Sequence, residues 1–294
     1  MSALSFLNFL ISGVSLGSIY AIIALGYTMV YGIAKMLNFA HGDVIMVGAY
    51  VSFCAMQYLG LPKLVSVVLA MVVCTALGIV IEGLAYKPLR KAPSLAVLIT
   101  AIGVSIFLQN LAQKIFSATP RPFPSVLPLT TLQLGDLSIS FTTLLTIAVS
   151  VALMILLQFI VKSTRTGKAM RAVSEDKAAA QLMGINVNST ISLTFAIGSP
   201  LAAIGAVLYC IAYPRVQPTM GSLPGLKAFI AAVLGGIGIL PGAMLGGVIM
   251  GVAESLTKGY ISSSLADAVV YGILIVVLLV KPAGLLGKKT SEKV

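Results

Sequence analysis

Apolar residues run almost unbroken along this chain, and polar residues fall into short clusters between the runs. Eight runs stand out: residues 7–33, 44–59, 64–86, 95–113, 141–161, 190–213, 226–256 and 265–280. A helix needs about 20 apolar residues to cross a hydrocarbon core of about 30 Å, and the runs are of that order. They are continuous and do not alternate with period two, so the strands of a membrane barrel do not account for them. The pattern predicts an all-α fold: a polytopic membrane helix bundle of about eight spans, forming one transmembrane domain over residues 1–294. The first run lacks a basic segment before it and is too long for a cleaved leader, so it reads as the first span.

One run does not fit a single crossing. Residues 226–256 would make a helix of about 46 Å at 1.5 Å per residue. Gly235, Gly236, Gly238, Pro241 and Gly242 lie at its centre. A broken helix or re-entrant hairpin is predicted there, facing the bundle interior, because unpaired backbone at membrane depth survives only inside protein or along a cavity. Glycines at four-residue spacing (Gly13 and Gly17, then Gly238, Gly242 and Gly246, then Gly247 and Gly251) predict close helix packing.

Two loops are long. Residues 114–140 carry Pro120, Pro122, Pro124 and Pro128, and the alternation over 132–140 around Gly135-Asp136 predicts a small β-hairpin. Residues 162–189 are charged. Within them 167–186 is Ala-rich and predicts a helix ended by Gly184, with Ala172, Ala179, Ala180 and Met183 on one weakly apolar face. A charged helix with such a face, set between two spans, suits docking into a partner's groove.

Composition sharpens this picture. Apolar residues are 59% of the chain and charged residues 9%, against about 45–50% and 25% in soluble domains. A net charge of +11 could suggest nucleic acid, but the basic residues sit between the runs and leave no soluble basic face. Lys87, Arg90 and Lys91, then Lys162 to Lys177, then Lys281, Lys288, Lys289 and Lys293 form three clusters. The excess of Lys and Arg on cytoplasmic loops puts all three inside. The proline-rich loop is then external, and two passes within 226–256 would return the tail to the cytoplasm. Cys54, Cys74 and Cys210 lie in apolar runs without metal or disulfide spacing.

The chain carries no engine of its own. No GxxxxGK[ST] loop is present, so any ATP is used by another polypeptide. Glu82, Glu254 and Asp267 lie at span ends, where acids are commonly interfacial, and His41 and Asp43 lie at the start of the second span. With one histidine and no nucleophile paired to a base, the residues give no basis for an enzyme or a metal site. What remains unusual is residues 38–43, where Asn38 could cap the next helix and Gly42 could turn the chain, or where the chain could be partly unwound beside a cavity.

The stretches 17–32 (GSIYAIIALGYTMVYG) and 37–43 (LNFAHGD) resemble the LivH-type permease of bacterial branched-chain amino-acid ABC importers. So do 182–186 (LMGIN), 231–247 (AAVLGGIGILPGAMLGG) and 281–287 (KPAGLLG), so the resemblance spans the chain. It implies a permease of the bacterial inner membrane that forms half of a translocation path working by alternating access. It also implies a second related permease, two cytoplasmic ATPases and a periplasmic substrate-binding protein, with no cofactor on this chain. In the ATPase-coupling pattern of Glu-Ala-Ala, three residues, then Gly, residues 178–184 keep the spacing. Ala178 stands where Glu is usual, while Glu175 and Asp176 lie one turn earlier. The coupling residues are then Arg171, Glu175, Asp176, Ala179 and Gly184. Asn38, His41 and the break at Gly235, Gly236, Gly238, Pro241 and Gly242 are the candidates for the path, since freed helix ends can meet a zwitterion without side-chain charge. Relatives of this kind carry amides, urea or sugars as well, and a passive facilitator or a pathless assembly subunit are the other classes left open.

Overall fold

The computed structural model describes residues 3–90, 92–126, 131–134 and 137–287. The chain begins with α1 (Ala3–Ala34), α2 (His41–Gln57) and α3 (Lys63–Ile81), which winds down through a π-turn at Glu82–Tyr86. Next come α4 (Ser94–Phe116), β1 (Arg121–Pro122), β2 (Thr131–Leu134) and β3 (Leu137–Ser140). Then follow α5 (Phe141–Ser163), α6 (Arg165–Glu175), α7 (Lys177–Leu182), α8 (Val187–Ala212), β4 (Arg215–Val216), α9 (Ser222–Gly235), α10 (Leu240–Tyr260) and α11 (Ala266–Val280). Among the described residues the bundle is all-α apart from two small antiparallel pairs, β1 with β4 and β2 with β3.

Seven of these helices are long and apolar enough to cross a membrane: α1, α3, α4, α5, α8, α10 and the last, which ends the bundle as α11. At 17 and 14 residues, α2 and α9 reach only about 25 and 21 Å, short of a full crossing. Burial sorts the long helices. α1, α8 and α10 bury 61%, 61% and 56% of their apolar windows, whereas α11 buries 11%, so the first three form the centre.

The centre is held by absent side chains. α1 and α10 run antiparallel and meet along Gly13, Gly17, Gly247 and Gly251, where a Cβ on Gly17 would lie 2.7 Å from the Gly247 carbonyl oxygen. The glycine spacing therefore does the packing work expected of it. The same antiparallel seam places Gly32 against Gly238 and Phe9 against Gly259.

Contacts assign the ends of the bundle. At one end Lys177 Nζ donates to the Ala34 carbonyl at 3.1 Å, Arg90 donates to Asn188 and Glu82, and residues 283–287 pack on Gly236. The described basic clusters gather there. At the other end Arg121 donates to the Tyr58 hydroxyl at 2.7 Å, and β1 pairs with β4.

The expected break is present. The apolar run 226–256 divides into α9 and α10, with the chain broken at residues 236–239, and α9 starts four residues before that run. Gly236 and Gly238 take φ of 106° and 95°, a region nearly closed to side chains with a Cβ. With α9 descending to the basic end and α10 returning, α11 brings the tail to the basic end as well. Leu285 and Leu286 amides donate to the carbonyls of Leu234 and Gly235 at 2.8 and 3.0 Å, satisfying the freed end of α9.

Three local expectations change. Asn38 does not cap α2: the helix starts at His41 after Ala40 with no side-chain cap. Gly42 makes no turn; it lies inside α2, where its missing Cβ admits Gly221. The helix expected over 167–186 is two helices, because Asp176 leaves the helical region and its carboxylate accepts from the Ala178 and Ala179 amides at 2.8 and 3.0 Å. That is the N-cap preference of Asp overriding alanine propensity. The hairpin at 132–140 forms with Leu134 opposite Leu137; its Gly135-Asp136 turn lies outside the described residues, as do Pro128, Lys91, Lys288, Lys289 and Lys293.

Candidate functional site

Two short helices begin inside the bundle, and their beginnings meet. A Cβ on Gly42 of α2 would lie 2.7 Å from the Gly221 carbonyl oxygen, and one on Gly225 of α9 would lie 2.7 Å from the Gly42 Cα. Only glycine permits this approach. Beside it is a crevice of about 180 Å³, walled by Tyr27, Phe39, Asp43, Ile102, Ser105, Ser222 and Leu226. The Asp43 carboxylate accepts from Gln109 Nε2 at 2.9 Å, and that amide also lies 3.2 Å from the hydroxyls of Ser105 and Ser222. Aromatic rings close one side: Tyr27 meets Phe229 at 5.9 Å between centroids, and Phe39 meets Phe229 at 5.2 Å.

Asn38 and His41 stand behind this crevice. The Asn38 side-chain oxygen accepts from the Tyr86 hydroxyl at 2.9 Å, which ties the unwound residues 35–40 to the end of α3. His41 is buried with its ring edge-on to Tyr27 at 4.6 Å. The second set of path candidates lies elsewhere. Gly235, Gly236, Gly238, Pro241 and Gly242 sit at the basic end, ten residues of α9 below Gly225, or about 15 Å. There Gly235 and Gly242 pack backbone to backbone, with the tail over Gly236. The break thus lies at the basic end, away from the crevice.

The coupling candidates form a surface at the basic end. The Thr164 hydroxyl caps α6 by accepting from the Gly167 amide at 3.0 Å. α6 buries Gly167, Met170 and Val173. Arg171 is exposed and donates to the Lys162 carbonyl at 3.2 Å; Glu175, Asp176 and Ala179 are also exposed. Gly184 ends the element at φ 82°. Between α6 and α7 runs a groove of about 580 Å³ that includes Ala172, Ala179, Ala180 and Met183, the face expected from the sequence. Leu182 projects beside it and Met183 from its edge, at 89% and 82% exposure. Burial and the neighbouring charges of Arg90 and Lys35 lower the Lys177 ammonium from its ordinary range.

Sequence reasoning missed a buried charge network. Lys227 of α9 pairs with Glu254 of α10 at 2.9 Å and with Asp267 of α11 at 2.7 Å. Glu254 also pairs with Lys258 at 2.6 Å and accepts from the Tyr20 hydroxyl at 2.9 Å. The available signal was a single lysine within an apolar run, since intramembrane charge is costly and paired.

A many-helix bundle whose short helices open a polar crevice at membrane depth, with an exposed amphipathic element at its basic end, defines a multi-pass membrane permease. The chain belongs to the family described as branched-chain amino acid transport system / permease component, which it matches over residues 9–278. It is 44% identical to the high-affinity branched-chain amino acid transport system permease protein BraD of Pseudomonas aeruginosa, covering 98% of each chain. It is likewise 44% identical to LivH of Escherichia coli K12, covering 99% of this chain and 98% of that one. A probable branched-chain amino acid transport permease of Methanocaldococcus jannaschii shares 28% identity over 92% of this chain and 89% of its own.

Proposed function

We propose that this chain is a permease subunit of an ATP-driven importer of branched-chain amino acids, seated in the bacterial inner membrane. The observation that carries the reading is identity of 44% over nearly the whole of both chains to two permeases of that description. The basic end faces the cytoplasm, in accord with the excess of Lys and Arg on that side of membrane proteins. There the α6–α7 element, with Arg171, Glu175, Asp176, Ala179 and Gly184, meets one of two partner ATPases. Leu182 and Met183 supply the apolar anchor such a contact needs. A second, related permease completes the path, and a periplasmic binding protein delivers substrate to the opposite end. ATP is used by the partners, and this chain binds no cofactor. Asn38 and His41 hold the unwound turn that shapes the crevice. The break at Gly235, Gly236, Gly238, Pro241 and Gly242 gives α9 and α10 a joint about which the bundle alternates between inward- and outward-facing states.

The test is uptake of radiolabelled leucine into proteoliposomes holding this chain, its partner permease and the ATPases, with binding protein outside and ATP inside. Uptake is expected to need every component and to be competed by isoleucine and valine. Leucine flux through this chain alone would replace the reading with a passive facilitator. Transport unchanged by Arg171→Ala and Gly184→Val would remove the coupling role of the α6–α7 element.

A further inference from the structure

We infer that the Asp43 carboxylate is the group that pairs with the ammonium of the substrate, an assignment that rests on the amino-acid importer reading above. Asp43 is 2% exposed and lies where α2 begins within the bundle. A buried carboxyl at that depth is held neutral by a proton or ionised against a counter-charge. Among the described residues it has none. The four ion pairs there engage Glu82, Glu254 and Asp267 and leave Asp43 out.

The surrounding helices explain why. α1 and α2 contain no Lys or Arg at all. The one basic residue of α4 is Lys114, exposed in its last turn, five residues beyond Gln109. The one basic residue of α9 is Lys227, held at 2.9 and 2.7 Å by Glu254 and Asp267. What Asp43 does have is neutral hydrogen-bond partners, Gln109 at 2.9 Å, Ser105 and its own backbone amide, and the crevice.

The crevice has the chemistry of a small aliphatic ammonium. One end is the Asp43 carboxylate with Ser105 and Ser222 nearby; the walls are Phe39, Ile102 and Leu226. Its volume is about 180 Å³. A charge-assisted hydrogen bond from ammonium to carboxylate is roughly twice as strong as a neutral one. It would also supply the charge the site lacks when empty. Neutral solutes of the same size do not.

The experiment labels Asp43 with dicyclohexylcarbodiimide in the purified complex of this chain with its partner subunits, read by peptide mass spectrometry. An uncovered carboxylic acid gives its proton to a carbodiimide nitrogen and its oxygen adds to the central carbon, leaving a stable acylurea adduct, so an ammonium seated on an ionised Asp43 protects it. The probes are leucine, 3-methylbutylamine (the ammonium and side chain without the carboxylate) and 4-methylpentanoate (the carboxylate and side chain without the ammonium). Leucine and the amine are expected to cut Asp43 labelling about tenfold at ten times their dissociation constants, with 4-methylpentanoate ineffective and Glu254 unaffected. In the transport assay Asp43→Asn is expected to lower kcat/KM for leucine about tenfold to a hundredfold, with Asp43→Glu intermediate. Protection by 4-methylpentanoate equal to that by leucine, or by neither amine-bearing probe, overturns the assignment. Because labelling is read on the unsubstituted protein, a misfolded variant does not obscure it. Amine protection without leucine uptake would keep the ammonium site and discard the branched-chain reading; leucine uptake with Asp43 unprotected would do the reverse.

Discussion

Replacing Lys227 with methionine removes the central cation of the network that joins α1, α9, α10 and α11. Lys227 is 6% exposed and Glu254 1% exposed, so their 2.9 Å pair lies out of water. Breaking a buried pair by removing one partner costs about 3–5 kcal/mol. Two features lower the figure for this change. Glu254 retains Lys258 at 2.6 Å and the Tyr20 hydroxyl at 2.9 Å. The other arm ends on Asp267, whose side chain is 47% exposed, and an exposed pair contributes about 0–1 kcal/mol. The expected cost of Lys227→Met is therefore about 2–3 kcal/mol, and methionine keeps the apolar contacts of the lysine stem. Glu254→Gln strands Lys227 with only the half-exposed Asp267, so its cost should sit at the upper end, about 3–5 kcal/mol. Asp267→Asn should cost at most about 1 kcal/mol. The double variant Lys227→Met/Glu254→Gln should be milder than the sum of the singles, because neither charge is then left alone. Unfolding in mild detergent, followed by circular dichroism against added denaturant, measures all four. The reasoning is refuted if the two single costs add in the double variant, or if Asp267→Asn is as costly as Glu254→Gln.

Gly251→Val drives a side chain into the Gly13 and Gly17 backbone; overpacking of this kind costs about 1–3 kcal/mol or more, and a lower unfolding midpoint in detergent checks it. Gly184→Ala and Gly60→Ala both place a Cβ at positive φ (82° and 61°) in open space, each costing about 1–2 kcal/mol. Only the first should reduce ATP-coupled uptake beyond its effect on stability, as paired transport and unfolding measurements will show. The native state holds Lys177 with a lowered proton affinity, so it binds fewer protons than the unfolded chain between the folded and unfolded values. Stability should therefore rise with pH through the alkaline window below the ordinary lysine range of about 10.4, and Lys177→Met should flatten that rise in pH-dependent melting curves. Tyr86→Phe leaves Asn38 without its donor and should cost about 1–2 kcal/mol, with the Asn38→Leu/Tyr86→Phe pair less costly than Asn38→Leu alone.

The spans were legible because a bilayer sets their length and composition directly. The break between α9 and α10 was legible for a related reason: a 31-residue apolar run exceeds the membrane, and glycine and proline mark where it yields. The hairpin at 131–140 follows from period-two alternation, which needs no distant partner. The Asp176 break was also within reach, since Asp before Lys-Ala-Ala-Ala carries the residues of a capped helix start. What the sequence hides is the crevice. Asp43 meets Gln109 across 66 positions, and Gln109 meets Ser222 across 113. Each looks like an isolated polar residue in an apolar run until the short helices bring them together. His41 drew notice as the lone histidine, yet its ring fills space beside Tyr27, while its neighbour two positions on faces the cavity.

The two short helices give the polar groups a common cause. A helix that starts part-way across the membrane frees backbone groups there, and these must be met inside the protein. α2 and α9 solve this at one place by starting against each other through Gly42, Gly221 and Gly225, and the polar side chains gather at that junction. The exposed element at the basic end reaches the junction through few steps. Lys177 of α7 donates to the Ala34 carbonyl, the last residue of α1. The unwound residues 35–40 follow, anchored by Asn38 to Tyr86, and α2 then opens at His41 with Asp43 in its first turn. Nine positions along the chain thus separate the carbonyl held by α7 from the carboxylate in the crevice. Glycine contacts lock α1 to α10 alongside, which leaves the unwound turn as the uncovered link between α7 and the crevice.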